Sequence, residues 1–308
     1  MSQRITLVTG ANGFVGKILV DVLKKRGDKV IGSGFGDCDM ENYYNSQIQT
    51  PGAIAEIINK HKPDLIYHLA AVSSAAESWK APDATLEINV GGTVQLLEAI
   101  VALPKNDRPL LIAVGSGEEY GPTDAATPLS ELIKTNPASP YAVSKCSASM
   151  YCIQYHKAHD LPVIVARPFA HTGIGQDTKF VFPCFAKQIA DIISGKSDPV
   201  IKVGNLEPLR DYLDVRDVID AYLLLAEKGV KGETYNIASG RGITIQQGLD
   251  AMLSTTDIEI KIETDPDRFR PLDSPCLIGD STKLRAATGW EPKYAIENTL
   301  TEMVKKEM

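Results

Sequence analysis

A glycine-rich turn near the N-terminus constrains this chain more than any other feature. Gly10, Gly13 and Gly16 form a GxxGxxG spacing between a strand-like run, 4–9, and an apolar periodic segment, 14–26. In a strand–turn–helix unit the first glycine allows a tight turn and the second admits a pyrophosphate against the backbone. The third lets the helix pack closely on the strand. In other contexts this spacing often marks only a turn. In this chain it follows a strand and opens a helix, so it predicts dinucleotide binding.

Strand-like and helix-like segments alternate along the rest of the chain. This alternation predicts an α/β protein with a doubly wound parallel sheet, whose ligands bind beyond the carboxyl ends of the strands. The pattern weakens after Pro168 and returns near Asp211. We therefore predict a cofactor-binding domain, 1–166 plus about 211–239, and a smaller substrate domain, 167–210 plus about 240–308. The remaining predicted elements are strands at 29–33, 64–69, 110–115, 162–167 and 233–237 and helices at 53–60, 83–101 and 140–159.

Composition excludes several classes of function. The net charge of −7 argues against a nucleic-acid partner or an anionic membrane surface, because a phosphate polyanion would be repelled. No run approaches the roughly 20 apolar residues that span a bilayer. The N-terminus enters a strand-like run directly, so we expect no signal peptide, and the five scattered cysteines contain no CxxC pair. We expect a cytoplasmic protein without a metal site, in which His156 and His159 have no acidic or cysteine partner.

The end of the second strand bears on the choice between NADH and NADPH. An acid there usually holds the ribose 2′-hydroxyl of NAD, but Ser33 and its small neighbours occupy the position. Asp37 and Asp39 follow, and no arginine comes directly after the strand. The pattern weakly favours NADP, or use of both cofactors. Asp39 and Met40 are expected near the adenine, although an ordinary polar loop fits the same residues.

A tyrosine and a lysine lie one turn apart on a predicted helix. Tyr141 and Lys145 share a helical face, and an ammonium beside a phenol is expected to lower the pKa of the tyrosine. The spacing alone also occurs on ordinary solvated helices. Position makes it specific: Ser139 is a candidate N-cap, and Ser116 follows a strand end, where its hydroxyl could hydrogen-bond a carbonyl. This set predicts proton transfer near a bound cofactor.

The motifs together resemble the extended short-chain dehydrogenase/reductases that act on nucleotide-sugars. The resemblance spans essentially the whole chain, through TGANGFVG, HLAA, NVGGT, GSGEEYG and SPYAVSK. It implies a catalytic triad in which Tyr141 donates a proton to a keto oxygen, Ser116 orients that oxygen and Lys145 binds the nicotinamide ribose. Asn89 is the usual accompanying residue. The resemblance places further side chains and backbone at the cofactor, namely Asn12, Phe14, Val15, Leu69, Ala70 and Ala71.

The second half of the chain is similar to GDP-mannose dehydratases and the related reductases. Gly204–Glu207 and the Arg210-Asp211 pair carry this likeness, which continues at Arg270 and Asp273. It implies that Asn205, Leu206, Arg210, Arg270 and Asp273 bind the nucleotide-sugar. The two arginines suit a diphosphate because a guanidinium matches phosphate oxygens in a bidentate fashion. Each could instead form a surface ion pair, and Asn205 could be a turn residue.

The segments at 167–176 and 180–183 look most like GDP-6-deoxy-4-keto-D-mannose reductases, which form GDP-D-rhamnose. Val181 is then a substrate-binding residue. Two positions depart from the family pattern: Ala170 replaces an asparagine and Ile174 a proline. The hydrogen bonds that this asparagine makes in the family are therefore not expected at Ala170. His171 could face the ligand, although a structural histidine is the more common case.

Glu118 keeps an alternative reaction open. In 4,6-dehydratases a Thr-(Asp/Ser)-Glu segment supplies the base that removes the C5 proton, and here the segment is Ser116-Gly117-Glu118. Glu118 could be a working base, an acceptor for a sugar hydroxyl or a remnant. The leading hypothesis is a 4-keto reductase using NADPH or NADH. A GDP-mannose 4,6-dehydratase, a 4-epimerase and a redox-sensing binding protein are the alternatives.

The two long predicted helices resemble the pair that forms a four-helix dimer interface in this family. They cover 83–101 and 140–159. We expect a homodimer, although the apolar positions of these helices could equally belong to the internal core.

Overall fold

The computed structural model describes residues 3–123, 127–269, 272 and 274–308. The strands within these residues are β1 (Ile5–Thr9), β2 (Lys29–Gly34), β3 (Tyr43–Asn45), β4 (Leu65–His68), β5 (Leu110–Val114), β6 (Val163–Pro168), β7 (Ala170–Thr172), β8 (Val200–Val203), β9 (Leu209–Arg210), β10 (Tyr212–Asp214), β11 (Thr234–Ile237), β12 (Ile243–Thr244), β13 (Lys261–Thr264) and β14 (Cys276–Leu277). The helices are α1 (Phe14–Lys25), α2 (Ala53–His61), α3 (Ala75–Lys80), α4 (Pro82–Leu86), α5 (Gly92–Val101), α6 (Pro140–His159), α7 (Val181–Ile193), α8 (Val215–Lys228), α9 (Ile245–Leu253), α10 (Thr282–Thr288) and α11 (Ile296–Glu307).

The main sheet is parallel and has the order β11-β6-β5-β4-β1-β2-β3. Successive strands run outward in one direction from β1 to β3 and in the other from β4 to β6. The order therefore reverses between β1 and β4, and ligands of such sheets bind in the crevice at that reversal. Thr9 at the end of β1 is paired with Ser33 of β2 and His68 of β4, so three strand ends meet there. The predicted doubly wound sheet is confirmed.

Local sequence explains the two helices that border this crevice. α1 buries Leu19, Val20 and Leu23 on one side, as a helix packed on a sheet requires. α6 begins where the Ser139 hydroxyl accepts a hydrogen bond from the amide of Ala142, with a proline at the first helical position. The predicted bounds of α6, 140–159, agree with the structure.

The predicted helix over 83–101 is divided into three parts. α4 ends at Leu86, a π-helical stretch covers Glu87–Gly91, and α5 begins at Gly92. Such wider turns are rare inside helices and are frequently found at functional sites. This one contains Asn89, whose side chain is buried.

A second hydrophobic core lies away from the main sheet. Helices α7, α9 and α11 pack together there around Phe182, Phe185 and Leu300. Leu284 and Trp290, by contrast, pack into the core beneath the main sheet, where the indole donates a hydrogen bond to the carbonyl of Asp217, 3.0 Å away. The C-terminal region therefore contributes to both cores, and the predicted domain bounds remain a prediction.

Two kinds of feature are absent from the described residues. No helix in these ranges is both long and apolar enough to cross a membrane. The same residues hold no group of three or more His, Cys, Asp or Glu side chains placed to bind a metal ion.

Candidate functional site

A cavity of about 1230 Å³ follows the carboxyl edge of the main sheet. It runs from the glycine-rich turn, past the ends of β5 and α6, to α7 and the second core. The predicted site residues that line it are Gly10, Asn12, Gly13, Phe14, Val15, Gly16, Leu69, Ala70, Ala71, Ser116, Glu118, Tyr141, Lys145, Val181, Asn205 and Arg210. The structure thus brings together residues from both halves of the chain.

The glycine-rich turn forms a backbone cradle with no room for side chains. Gly10 has φ +71°, and a Cβ there would lie 2.8 Å from the amide nitrogen of Ala70. A Cβ on Gly16 would lie 2.1 Å from the carbonyl oxygen of Gly10. The N-cap of α1 is Gly13, which makes no side-chain cap hydrogen bond, so the first N–H groups of the helix remain for an anion. The cradle fits the pyrophosphate of a dinucleotide.

Ser116, Tyr141 and Lys145 meet in the middle of the cavity wall. Ser116 follows β5, while Tyr141 and Lys145 come from the first turns of α6. The side chains of Ser116 and Tyr141 are hydrogen-bonded to each other. Lys145 is buried, and burial lowers the pKa of its ammonium group. A phenol and a hydroxyl in contact at a cavity can bind a carbonyl oxygen and exchange a proton with it.

The pKa of Tyr141 runs opposite to the prediction. Burial raises it to about 12, and the negative charges of Glu118 and Glu119 add to the rise, while the hydrogen bond from Ser116 lowers it. The predicted lowering by Lys145 was wrong for this structure, because removal of the phenol from water outweighs the other influences. The phenol is therefore fully protonated at neutral pH and can serve as a proton donor.

Glu119 fixes the loop that carries Ser116. Its buried carboxylate accepts hydrogen bonds from the Ser116 amide and the Ser149 hydroxyl, both at 2.9 Å, and pairs with Arg167 at 2.8 Å. Arg167 also donates a hydrogen bond to the hydroxyl of Tyr120, 2.9 Å away. Three partners around one buried carboxylate hold Ser116 in place. The sequence reading assigned no role to Glu119, since no spacing rule marks such a network.

Asn89 is linked to α6 through a chain of hydrogen bonds. Its amide nitrogen donates to the hydroxyl of Ser144 at 2.8 Å, and that hydroxyl donates to the carbonyl of Tyr141 at 2.7 Å. The amide also bonds both backbone groups of Val72, at 2.7 Å and 3.1 Å. Asn89 does not line the cavity, so it positions α6 and the loop after β4.

His68 closes a second buried chain, at the switch point of the sheet. Its Nδ1 lies 2.8 Å from the Thr9 hydroxyl and its Nε2 lies 3.0 Å from the Thr93 hydroxyl. The Thr93 hydroxyl itself donates to the carbonyl of Asn89 at 2.6 Å, so His68 Nε2 carries the proton that Thr93 accepts. Burial lowers the pKa of His68 to about 3, and the ring stays neutral.

The adenosine end of the cavity differs from the prediction. Ser33, Asp39 and Met40 do not line the wall. Met40 instead packs over Gly32, because a glycine leaves space that the thioether fills. Side chains that the sequence reading did not select take their place, namely Phe35, Ser46, Gln47 and Gln49.

The substrate end is built mostly from side chains. Val181, Asn205 and Arg210 line it, whereas Leu206 packs against the second core. Arg270 and Asp273 lie outside the described residues. Arg268 was missed by the sequence reading: it lines the cavity and donates a hydrogen bond to the thiol of Cys184, 3.3 Å away. The DRFR run that contains it has two arginines, and the sequence offered no rule to choose between them.

His171 and Ala170 lie side by side on β7 in the cavity wall. The His171 ring donates its Nδ1 proton to the carbonyl of Phe169, 3.1 Å away, because a carbonyl can only accept. Burial lowers the pKa of His171. The ring is therefore neutral, and Ala170 beside it has no polar group to offer a ligand.

Comparison with known proteins agrees with this arrangement. A family model described as GDP-mannose 4,6 dehydratase matches residues 7–303. The GDP-6-deoxy-D-mannose reductase of Pseudomonas aeruginosa is 32% identical over 97% of this chain and 95% of its own length. The solved structure of RMD from Pseudomonas aeruginosa complexed with NADPH has a TM-score of 0.87 and 31% identity over 99% of both chains. The Thermus thermophilus UDP-glucose 4-epimerase complex with NAD has a TM-score of 0.88 over 98% of both chains, and at 24% identity it supports the fold alone.

Proposed function

This chain belongs to the GDP-mannose 4,6-dehydratase family of extended short-chain dehydrogenase/reductases, and from that premise we propose that it is a nucleotide-sugar 4-keto reductase. Its substrate would be GDP-6-deoxy-4-keto-D-mannose and its product GDP-D-rhamnose. The 32% identical reductase supports this choice of reaction. The solved structure of RMD from Pseudomonas aeruginosa, 31% identical and complexed with NADPH, supports a nicotinamide cofactor.

The chain supplies the proton and the orientation for this reaction. A reduced nicotinamide, when bound, supplies a hydride for C4. Tyr141 donates its proton to the C4 oxygen, since burial keeps the phenol protonated. Ser116 hydrogen-bonds the same oxygen and directs it toward the phenol. Lys145 would hold the nicotinamide ribose, and its charge would stabilise the phenolate left after proton transfer.

The packing around Gly117 is the observation that favours reduction over dehydration. A Cβ on Gly117 would lie 2.9 Å from the ring of Phe169, and a Cβ on Gly279 would lie 2.6 Å from the same ring. Phe169 is buried between these glycines and stacks on Tyr120. Elimination of water needs a proton donor for the leaving hydroxyl as well as a base for the C5 proton. The packing leaves no room for an acid or a hydroxyl at residue 117.

The position of Glu118 supports dehydration as a second candidate function. Its carboxylate belongs to the cavity wall and lies near enough to Tyr141 to raise the pKa of the phenol. In a reductase Glu118 would accept a hydrogen bond from a sugar hydroxyl and remain dispensable for hydride transfer. In a dehydratase it would remove the C5 proton, and turnover would depend on it.

The test compares two reactions in one preparation. Wild type is supplied with GDP-mannose alone, or with GDP-6-deoxy-4-keto-D-mannose and reduced cofactor, and products are followed by NMR. We expect reduction of the keto sugar and no dehydration of GDP-mannose. Glu118→Gln should keep at least about a tenth of the reductase rate, and Glu259→Gln, an exposed carboxylate outside the cavity, is the matched control. Dehydration that disappears in Glu118→Gln would instead establish the lyase.

The GDP moiety would be held at the substrate end. Arg210 and Arg268 provide positive charge for the diphosphate, and Asn205 and Val181 provide a polar and an apolar contact. Arg270 and Asp273 remain predicted contributors to the same site. Ala170 leaves the binding of the sugar with fewer hydrogen bonds than the family pattern supplies.

A homodimer is part of this proposal. Val143, Met150 and Tyr151 lie on one face of α6 and are 44%, 67% and 44% exposed, and Leu86 of α4 is 52% exposed. An apolar face of this kind suits pairing with a second copy. Met150→Asp should convert dimer to monomer in light scattering, whereas Val230→Asp, an exposed position elsewhere, should not. A monomeric wild type would contradict the expectation.

A further inference from the structure

Tyr222 carries a buried hydroxyl group that packing does not explain. The residue lies on α8 in the core beneath the main sheet and is 1% exposed. Among the residues that the structure describes, its hydroxyl has no hydrogen-bond partner. A phenylalanine would supply the same apolar surface without the cost of taking a hydroxyl out of water. The hydroxyl therefore needs an explanation other than packing.

Other buried tyrosines show how this chain treats such a group elsewhere. The hydroxyl of Tyr120 donates a hydrogen bond to Asn236 at 2.9 Å, and that of Tyr235 accepts one from a backbone amide at 3.0 Å. In the described part of the chain, Tyr67 is the side chain whose buried polar atom has neither a partner nor accessible surface. Tyr222 differs from Tyr67 because it lines the cavity and its hydroxyl is not sealed from it.

Tyr222 reaches the cavity from the side of the sheet that carries α1. A Cβ on Gly173 would lie 2.8 Å from Val215, the first residue of α8, and 3.6 Å from the ring of Phe14, the first residue of α1. Helical side chains lean toward the N-terminus of their helix, so Tyr222, about two turns along α8, points back toward this edge. Phe14 and Val114 line the cavity and pack against the core that contains Tyr222. Tyr222 thus adds one hydroxyl to an apolar part of the wall.

The nicotinamide ring is expected against the same part of the wall. In the proposed reaction Tyr141 protonates the oxygen on the carbon that receives the hydride, so the ring must lie beside this phenol. Burial raises the pKa of Tyr222, and a negative charge on the nearby Tyr141 would raise it further. The Tyr222 phenol therefore stays protonated at neutral pH and can donate a hydrogen bond.

We propose that the hydroxyl of Tyr222 hydrogen-bonds the carboxamide of the bound nicotinamide and anchors the ring beside Tyr141. A reduced nicotinamide ring is apolar apart from its carboxamide, which offers an oxygen acceptor and N–H donors. One hydroxyl in an apolar wall matches that pattern, because a single well-placed polar group is enough to orient a flat apolar ligand. The proposal rests on the nicotinamide cofactor of the proposed function and is independent of the sugar.

Calorimetric titration of the cofactor and of a cofactor fragment, both without sugar, tests this contact. Tyr222→Phe should weaken binding of the reduced cofactor about three- to tenfold, the effect of losing one neutral hydrogen bond. ADP-ribose, or its 2′-phosphate for comparison with NADPH, retains the pyrophosphate and lacks the nicotinamide. Its affinity should stay within about twofold of wild type because the cradle is unchanged. A variant that merely damaged the fold would weaken the binding of both ligands.

Tyr67→Phe is the matched control. It removes a hydroxyl from the same core at a side chain that does not line the cavity, and it should leave both affinities unchanged. Urea unfolding should show that Tyr222→Phe is at least as stable as wild type, since the lost hydroxyl makes no hydrogen bond within the described residues.

An equal loss of affinity for cofactor and fragment, or no loss for either, would overturn the proposal. An unchanged cofactor affinity with a raised KM for the sugar would also overturn it and assign the hydroxyl to the sugar. Since the titrations contain no sugar, their result stands whether or not the enzyme reduces a 4-keto sugar. Failure of the proposed function and failure of this contact are therefore separate observations.

Discussion

The two ends of the cavity are built to recognise ligands in different ways. At the glycine-rich turn of the cofactor end the wall is backbone: Gly10 and Gly16 are so closely packed that added Cβ atoms would lie 2.8 Å and 2.1 Å from neighbouring main chain. At the substrate end the wall is made of side chains such as Val181, Asn205 and Arg268, carried by a helix and by loops that are far apart in the chain.

This difference determines how each end responds to change. A backbone cradle recognises phosphate through amide groups and leaves no space for variation, so one added methyl group should damage it. A wall of side chains can exchange one contact for another at modest cost, which suits a family whose members act on different sugars. The proposed catalytic residues, Ser116, Tyr141 and Lys145, line the cavity between the two ends.

The largest effect of a substitution is expected at Tyr141, which lies between the two ends of the cavity. Tyr141→Phe removes the proton donor and should lower kcat by about 10²–10⁴-fold, the usual contribution of a general acid. The affinity for reduced cofactor, measured by fluorescence titration, should remain within about threefold of wild type because the cradle is intact. Tyr151→Phe, on an exposed part of the same helix, is the control. Retained turnover in Tyr141→Phe would remove it from the mechanism.

Damage to the backbone cradle should come next in size. Gly16→Ala forces a Cβ against the carbonyl of Gly10 and should cost about 1–3 kcal/mol of stability together with most cofactor binding. Gly91→Ala is the matched control, because a Cβ at Gly91 meets nothing within 4 Å. Urea unfolding and cofactor titration of both variants provide the comparison. Equal behaviour of the two would show that the cradle is not as rigid as its geometry indicates.

Acid should lower the stability of the folded protein through His68. The ring is neutral when folded, with a pKa of about 3 against 6.5 for an exposed histidine. Below about pH 6.5 the unfolded state binds a proton that the folded state does not, so stability falls by up to about 1.4 kcal/mol per pH unit until about pH 3. His68→Gln should remove this part of the slope in urea unfolding at several pH values. An unchanged slope would assign the acid sensitivity to other groups.

The smallest effect is expected at the side-chain wall. Arg268→Ala should raise KM for the GDP-sugar about tenfold, as the loss of one charged contact to a diphosphate would, with kcat within about twofold of wild type. Arg241→Ala, at a side chain 66% exposed and paired with Glu297, is the control. A large loss of kcat in Arg268→Ala would mean that the substrate end also orients the reacting carbon.

The difference between the two ends of the cavity also explains which site residues the sequence could predict. The cradle lies within seven consecutive residues and Tyr141 and Lys145 within one helical turn, so local spacing identified them. The role of Glu119 depends on donors from Ser149 and Arg167, which only the folded sheet brings together. Met40 was predicted near the adenine from its position in the sequence, whereas it packs over Gly32 and against the core beneath the sheet.

The predicted lowering of the Tyr141 pKa by Lys145 was wrong for a related reason. Helical spacing brings the two side chains to one face, but their protonation depends on burial by the surrounding chain, which sequence spacing does not report. The packing of Phe169 between Gly117 and Gly279 is likewise a contact among three distant segments. These contacts, more than the shared motifs, carry the choice between reduction and dehydration.

The reductase proposal is tested most directly by the absorbance of reduced nicotinamide after GDP-6-deoxy-4-keto-D-mannose is added to the enzyme with NADH, and in parallel with NADPH. We predict loss of reduced cofactor equal, mole for mole, to the keto sugar consumed, and no loss with Tyr141→Phe. Persistence of both reduced cofactors, with the keto sugar verified as intact, would contradict the reductase and make Glu118 the central residue of a different reaction.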